Sequence, residues 1–380
     1  MLGTKTLARL EHHLRPLLVR LPTPLAVDLY SRGRERFLSA FVRRRPPQIP
    51  EPYGQTPAQL ATELWGVTFP SPLGNAAGMF KDGQGYEVVA GQGAGFFLAG
   101  TTTALPRGGN RKGHHRRPFA PYPRSGAASN WLGLPNPGDL AVARLLKGLD
   151  RRPGCPVGAS LGAPPELDEA PALEALARGM KAYAEAAVDF LEVNESCPNT
   201  EAVEAGDGNL GAMGRRLARL REHFPAGSGQ PPVVVKLSCD LAPALVPRVL
   251  DLLFEHGYDG VNFGNTSTDY AAHRQHIAPE EQALYRYFTH HFGGGVSGRP
   301  LKEASLRLVS AAAEHRERCG LGREFHIVRT GGVEDAQDVR RSLDAGASLV
   351  QWYTAYFEAF ALHGDELYRN LYADLLRTET

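Results

Sequence analysis

Phe325-His326-Ile327-Val328-Arg329-Thr330-Gly331-Gly332 and Ser348-Leu349-Val350-Gln351-Trp352-Tyr353-Thr354 share one build: a short apolar run that ends in glycines or hydroxyl groups. Between them, Ala336 to Ala345 carries a helical pattern, so the segment reads strand, helix, strand. Towards the N-terminus the same unit recurs. Comparable runs are Gly66 to Leu73, Gly95 to Thr101, Pro156 to Leu161, Phe190 to Asn194, Pro232 to Leu237 and Gly260 to Phe263, which makes eight with the late pair. Helical stretches lie between most of them, at Ala170 to Ala187, Gly211 to Phe224, Ala242 to His256 and Leu301 to His315. Continuous apolar strands separated by helices imply a parallel sheet buried on both faces. Eight such units imply the α/β class, closed as a (β/α)8 TIM barrel. No repeat of fixed longer period appears, so a solenoid is not supported.

The chemistry is concentrated just past the end of each run. Asn75-Ala76-Ala77-Gly78, Thr101-Thr102-Thr103, Asn194 to Thr200, Lys236, Asn265-Thr266, Thr330-Gly331-Gly332 and Tyr353-Thr354 all fall at expected C-terminal strand ends, where this architecture builds its active sites. Glycines and hydroxyls after strands 7 and 8 make a phosphate cradle from backbone N–H groups and a helix N-terminus. A phosphorylated cofactor such as flavin mononucleotide (FMN) fits that cradle. Gly293-Gly294-Gly295-Val296-Ser297-Gly298 matches GxGxxG literally, yet no clear strand precedes it, so a dinucleotide site fails its context test.

Composition sets the outer limits. The 380 residues carry a net charge of +1, which removes the simplest electrostatic argument for nucleic-acid binding. Cys155, Cys197, Cys239 and Cys319 are widely spaced without a CxxC pair, so neither a disulfide framework nor a zinc ribbon is indicated, and a reducing compartment is expected. His114-His115 and His290-His291 lack metal-ligand spacing and read as loop residues, so no metal is expected. No apolar run is long enough to span a bilayer, and Arg9, Glu11 and Arg15 interrupt any secretory apolar core.

Residues 1–45 hold ten Lys and Arg against three acidic residues. Leu7, Leu10, Leu14, Leu17 or Leu18 and Leu21 recur at helical spacing, and Thr23-Pro24 offers an N-cap and a first-turn proline for a second helix with Leu25, Leu29, Phe37 and Phe41. A basic amphipathic pair of this kind suits a membrane interface. A helical hairpin packed on the main domain with a solvated basic face is the plainer alternative, and a cleaved presequence fits less well because acidic residues are present. The stretch Arg45-Pro46-Pro47-Gln48-Ile49-Pro50 reads as a linker, giving an extension over 1–48 and a barrel over 49–380.

At these motifs the chain resembles the dihydroorotate dehydrogenase family, from about Leu64 to Phe357. The resemblance rests on Asn75-Ala76-Ala77-Gly78 with Lys81 and Gly83, Gly100-Thr101-Thr102-Thr103 with Gly109-Asn110, Asn130 with Gly133-Leu134-Pro135-Asn136, and Asn194 through Thr200. It continues through Val235-Lys236, Asn265-Thr266, Gly294 to Gly298 with Pro300-Leu301, and Ala345 to Gln351 with Tyr353-Thr354. It implies that Lys81, Asn130, Gly133, Leu134, Asn194, Asn199, Asn265 and Thr266 bind dihydroorotate or orotate. It further implies that Ala77, Gly78, Thr101, Ser160, Asn194, Lys236, Ser297, Gly298, Gly331, Gly332, Tyr353 and Thr354 bind FMN, and that Cys197 is the catalytic base. Oxidising dihydroorotate takes a base for the C5 proton and a hydride acceptor for C6, which flavin N5 supplies. Amides suit the urea-like edge of the ring because each donates and accepts. A lysine neutralises the carboxylate.

The chain departs from the family pattern in ways that bear on function. Its N-terminal extension, Lys81 and Gly100-Thr101 resemble the membrane-associated form that reduces a quinone and uses serine as base, whereas Cys197 and Gly133-Leu134-Pro135-Asn136 resemble soluble forms. Ser160 stands in place of a flavin-facing asparagine, Glu201 to Gly208 replaces the usual sequence of a substrate-covering loop, and Arg329 stands where a small residue is usual. The leading expectation is therefore FMN-dependent oxidation of dihydroorotate to orotate in pyrimidine biosynthesis, with a quinone as acceptor and a peripheral location on the cytoplasmic side of the inner membrane, or in the cytoplasm if the extension binds no membrane. The alternatives are a related FMN oxidoreductase that acts on another dihydropyrimidine or uses a soluble acceptor, and a catalytically silent homologue that binds a membrane or partner through residues 1–45.

Overall fold

The structure, a computed structural model, describes residues 3–44, 57–152, 154–195 and 207–377. Its centre is an eight-stranded parallel sheet: β1 (Leu73–Asn75), β2 (Phe97–Thr102), β3 (Val157–Leu161), β4 (Phe190–Asn194), β5 (Val233–Ser238), β6 (Gly260–Asn265), β7 (His326–Thr330) and β8 (Leu349–Trp352). The strands run in the order β1-β8-β7-β6-β5-β4-β3-β2. Between β1 and β2 a side chain completes the ladder. The Asn75 amide donates to the Leu98 carbonyl at 2.8 Å and accepts from the Leu98 N–H at 3.1 Å, taking the place of a backbone unit and bringing the sheet to a closed barrel.

The eight strands overlap the expected runs closely except at the first. Gly66 to Leu73 is not one strand: Thr62–Leu64 and Val67–Phe69 form an antiparallel hairpin, and β1 starts only at Leu73. Trp65 and Gly66, both at positive φ, make the two-residue turn, and the prolines at 70 and 72 break the remainder of the run. The hairpin's Leu64 and Phe69 pack with Phe96, Phe190 and Leu349 and plug the N-terminal end of the barrel. The site therefore belongs to the other end.

Helices wrap the barrel, among them α3 (Glu169–Glu185), α4 (Asp207–His223), α5 (Val246–Glu255), α6 (Lys302–Cys319), α7 (Ala336–Asp344) and α8 (Thr354–His363), preceded in the chain by α1 (Thr4–Leu18) and α2 (Thr23–Val42). Over the C-terminal rim sits a three-stranded antiparallel sheet of Phe119–Tyr122, Ala127–Asn130 and Gly295–Gly298. The glycine-rich segment is thus itself a strand, which explains why it does not open a dinucleotide fold.

The N-terminal helices are built into this assembly. Ala26 and Val27 of α2 are fully buried against Ala120, Tyr122, Phe288 and Val296, and Phe41 enters the main core beside Phe80, Tyr356 and Phe360. The α1 helix lies on α8, where Arg15 and His12 both reach Glu358, at 2.9 and 3.0 Å. Thr23 is not an N-cap: Pro22 takes that position without a side-chain bond, and Thr23 is already helical. The boundary expected at residues 48 and 49 lies outside the described residues.

Candidate active site

The strand registers place the polar groups. Asn194 of β4 sits opposite Lys236 of β5, Ser238 opposite Asn265 of β6, and Thr330 of β7 opposite Gln351 of β8. Their C-terminal ends open into one cleft. The β1 and β2 ends bring Ala77, Gly78, Lys81 and Thr101, the middle strands bring Asn194, Lys236, Asn265 and Thr266, and the last two bring Gly331, Gly332, Tyr353 and Thr354. The overlying sheet closes the cleft with Asn130, Ser297 and Gly298, and Leu134 reaches it from the next loop.

One end of the cleft is an amide surface. Asn265 Nδ2 donates to Asn194 Oδ1 at 2.8 Å, and its Oδ1 accepts the Thr266 N–H at 3.1 Å, so both side chains are oriented before any ligand arrives. Asn130 donates from Nδ2 to the Gly295 carbonyl at 3.4 Å. A planar ring with alternating N–H and C=O groups finds both donors and acceptors here.

The other end is an anion cradle. Gly331 and Gly332 have φ of 109° and 75°, and a Cβ on Gly332 would stand 2.5 Å from Lys302 Cα. The turn therefore exposes bare backbone. The α8 helix starts at Thr354 without any side-chain cap, leaving its first N–H groups directed at the cleft end. Ser297 and Thr354 hydroxyls face each other at 3.2 Å. Glu334 also lines this end; burial raises its pKa, but ion pairs with Arg299 at 3.0 Å and Lys302 at 2.9 Å outweigh burial and lower it. A negative side chain beside an anion cradle is thereby neutralised. An uncapped helix start, a bare glycine turn, paired hydroxyls and a lysine further along the cleft fit a phosphorylated flavin.

Beneath the cleft the barrel interior is polar. Glu192, fully buried on β4, accepts from Ser160 Oγ at 3.0 Å, Asn262 Nδ2 at 2.7 Å and Gln351 Nε2 at 3.1 Å, and lies 3.5 Å from Lys236 Nζ. Thr330 donates into the same network through Asn262 or Gln351, both at 2.9 Å. The resulting scaffold fixes Lys236 from below.

Two expected site residues stand apart from the cleft. Ser160 does not line it: the short hydroxyl turns to Thr101 Oγ1 and Glu192, 3.0 Å from each, and lies one layer beneath. Gly133 also stands off, its carbonyl taken by Arg107 Nε at 3.2 Å, while Leu132 and Leu134 on either side face in. Cys197, Asn199 and residues 201–206 lie outside the described residues.

Sequence reasoning missed four contributors. Glu192, Asn262 and Gln351 had a readable signal, since each is polar inside an apolar strand run. Arg34 had none; it reaches from α2 to the Tyr353 hydroxyl and stands 3.5 Å from the Gly78 carbonyl, a juxtaposition only the fold creates. Arg329 proves structural: wholly buried, it donates to Ser305, Ser342 and the carbonyls of Lys302 and Asp338, and burial pulls its pKa down to about 10.

The sequence pattern of the dihydroorotate dehydrogenase family matches residues 59–372. The chain belongs to that family. It is 35% identical over 305 residues to "Dihydroorotate dehydrogenase (quinone)" of Kineococcus radiotolerans, covering 78% of this chain and 77% of that one. The protein of the same name from Thermus thermophilus is 34% identical over 322 residues, covering 84% and 83%. Among solved structures, ligand-free DHODH from Eimeria tenella superposes with a TM-score of 0.69 at 26% identity, over 90% of this chain and 93% of that one. The same Eimeria enzyme in complex with ferulenol gives 0.71 at 24% identity over 90% of each chain, a likeness of fold. In this dihydroorotate dehydrogenase family member, then, the fold is shared with relatives, and the helical extension is packed onto the barrel and the sheet above its C-terminal rim.

Proposed function

We propose that this chain oxidises dihydroorotate to orotate with FMN as resident cofactor and passes the electrons to a quinone. The observation that carries the reading is the two-ended cleft, an amide surface at one end and a bare-backbone anion cradle at the other, with Lys81 in its lining and roofed by the sheet to which α2 is bound. FMN would be held by Ala77, Gly78, Thr101, Lys236, Ser297, Gly298, Gly331, Gly332, Tyr353 and Thr354, and when bound it supplies the acceptor for the C6 hydride.

The remaining work falls to the chain itself. Asn130, Asn194, Asn265 and Thr266 hold the ring flat by its donors and acceptors, and Lys81 neutralises its carboxylate. Cys197 takes the C5 proton; a thiol begins near pKa 8.5 and ionises more readily than a hydroxyl. Lys236, backed by Glu192, holds positive charge where negative charge accumulates on reduction. Leu132 and Leu134 keep water from the reacting edge.

The quinone assignment draws on Arg34, whose contact with Tyr353 and Gly78 puts the helical extension directly over the cofactor side of the cleft. Among the described residues no helix is long and apolar enough to cross a membrane. Leu7, Leu10, Leu14 and Leu17 are nevertheless all exposed on α1, which favours peripheral attachment through residues 1–45.

The test is the visible spectrum of the purified protein before and after anaerobic L-dihydroorotate. Yellow absorbance that bleaches is expected. A protein that stays oxidised with dihydroorotate but bleaches with another dihydropyrimidine would move the substrate, and a colourless protein that binds no FMN would overturn the reading. Cys197→Ala should keep the flavin and lose the bleaching.

A further inference from the structure

The α5 and α6 helices pack side by side on the outside of the barrel, through Val249, Leu250 and Leu253 on one and Leu308, Val309 and Ala312 on the other. Where this seam reaches the surface, Asp251 of α5 meets His315 and Cys319 of α6. His315 and Cys319 are one helical turn apart on a single face, so their side chains project together. His315 Nε2 lies 2.6 Å from Asp251 Oδ1 and 3.3 Å from Cys319 Sγ, and the ring stacks nearly parallel to Phe254 at 6.3 Å, which fixes its plane.

The geometry excludes a proton relay. In a relay the imidazole uses one nitrogen for the carboxylate and the other for the nucleophile. Here both partners converge on the same nitrogen, which carries either one proton or one lone pair and satisfies only one neighbour at a time. A single cation satisfies all three. Carboxylate oxygen, imidazole nitrogen and thiolate sulfur lie within 4.8 Å of one another, the donor mixture suits zinc, and the two anionic donors balance a divalent charge. Placement on two packed helices, not on loops, holds the ligands in register.

We propose that Asp251, His315 and Cys319 form a surface site for a tetrahedral divalent transition metal of the zinc type, with water as fourth ligand, that staples α5 to α6. The site is separate from the catalytic cleft: none of the three residues lines it.

The experiment uses the untagged, flavin-loaded full chain, stripped with chelator and titrated with Zn²⁺ and, separately, Co²⁺. Expected are one equivalent of Zn²⁺ bound with a rise in the thermal unfolding midpoint, and Co²⁺ absorption bands of a thiolate-ligated tetrahedral ion at wavelengths beyond those of oxidised flavin. Cys319→Ser and His315→Ala should each remove the bands and the thermal shift, both variants remaining folded and yellow. His114→Ala serves as control, because Asp28, His114 and His115 form the other metal-capable group among the described residues. Absence of binding, bands that survive Cys319→Ser, or bands lost in His114→Ala would each overturn the proposal.

Discussion

Lys236 Nζ stands 3.5 Å from Glu192 Oε1, and neither side chain has appreciable contact with water. The lysine lines the cleft while the carboxylate is held from below by Ser160, Asn262 and Gln351. A buried ion pair contributes little over an apolar replacement of both partners, but removing one partner leaves an uncompensated charge and costs about 3–5 kcal/mol. Glu192→Gln should therefore lower stability by about 3 kcal/mol in urea unfolding, and Lys236→Met on the same background should restore part of the loss. A single variant as stable as the parent would show that the carboxylate does not balance the lysine.

Asp139 begins the helix Asp139–Lys147, yet it is almost wholly buried with neither carboxylate oxygen hydrogen-bonded, and burial pushes its carboxyl up to about 6 despite the opposing influence of Thr102. The folded pKa exceeds the unfolded value of 3.8, so the fold prefers the protonated acid. Its contribution is complete below about pH 4 and is lost as pH rises through about 6, a difference of about 3 kcal/mol at neutrality. Asp139→Asn should accordingly stabilise the protein at pH 8 and leave it unchanged at pH 4. Equal gains at both pH values would assign the effect to something other than ionisation.

Arg34 links the extension to the cleft through Tyr353 and Gly78. A hydrogen bond from a charged donor is worth about 1.5–3 kcal/mol, or roughly tenfold to a hundredfold in rate if it acts in the transition state. On the proposed function, Arg34→Ala should slow reoxidation by a short-chain quinone by about that factor and spare reduction by dihydroorotate, since Arg34 contacts Tyr353 and Gly78 and not the amides of Asn130, Asn194 and Asn265. Stopped-flow measurement of the two half-reactions separates them, and equal slowing of both would refute a role confined to the acceptor side.

The barrel is legible in the sequence because its strands are buried on both faces and so read as largely apolar runs, broken only by single polar residues such as Glu192, Asn262 and Gln351, and the cleft is legible because its residues sit at the ends of those runs. Where local turn chemistry competes, the pattern misleads: Gly66 to Leu73 looks continuous, but Trp65-Gly66 and two prolines divide it. Ser160 reads by position as a cofactor contact, whereas a hydroxyl is too short to leave the Glu192 network. Arg34, and Asp28 beside His114, depend on approaches between residues more than forty apart in sequence, which no spacing rule encodes. Arg329 looks anomalous in sequence only because its four acceptors are scattered over the segment from Lys302 to Ser342.

The exposed leucines of α1 bear on where the protein resides. Ala26, Val27 and Phe41 are buried in shared cores, so deleting residues 1–45 would open the main structure and could not isolate a surface effect. Leu7, Leu10, Leu14 and Leu17 are 39–62% exposed, and their replacement leaves those cores intact. Burying a leucine wholly is worth roughly 1.5–3 kcal/mol, so half-exposed ones add about 1 kcal/mol each on entering an acyl layer. Changing all four to Ser should weaken partitioning onto anionic vesicles by about a hundredfold or more while leaving the thermal midpoint in place. Sedimentation with phosphatidylglycerol-containing vesicles measures this directly. If the parent chain stays in the supernatant at low salt, the leucine face serves another purpose; if parent and variant sediment alike, charge alone carries the attachment.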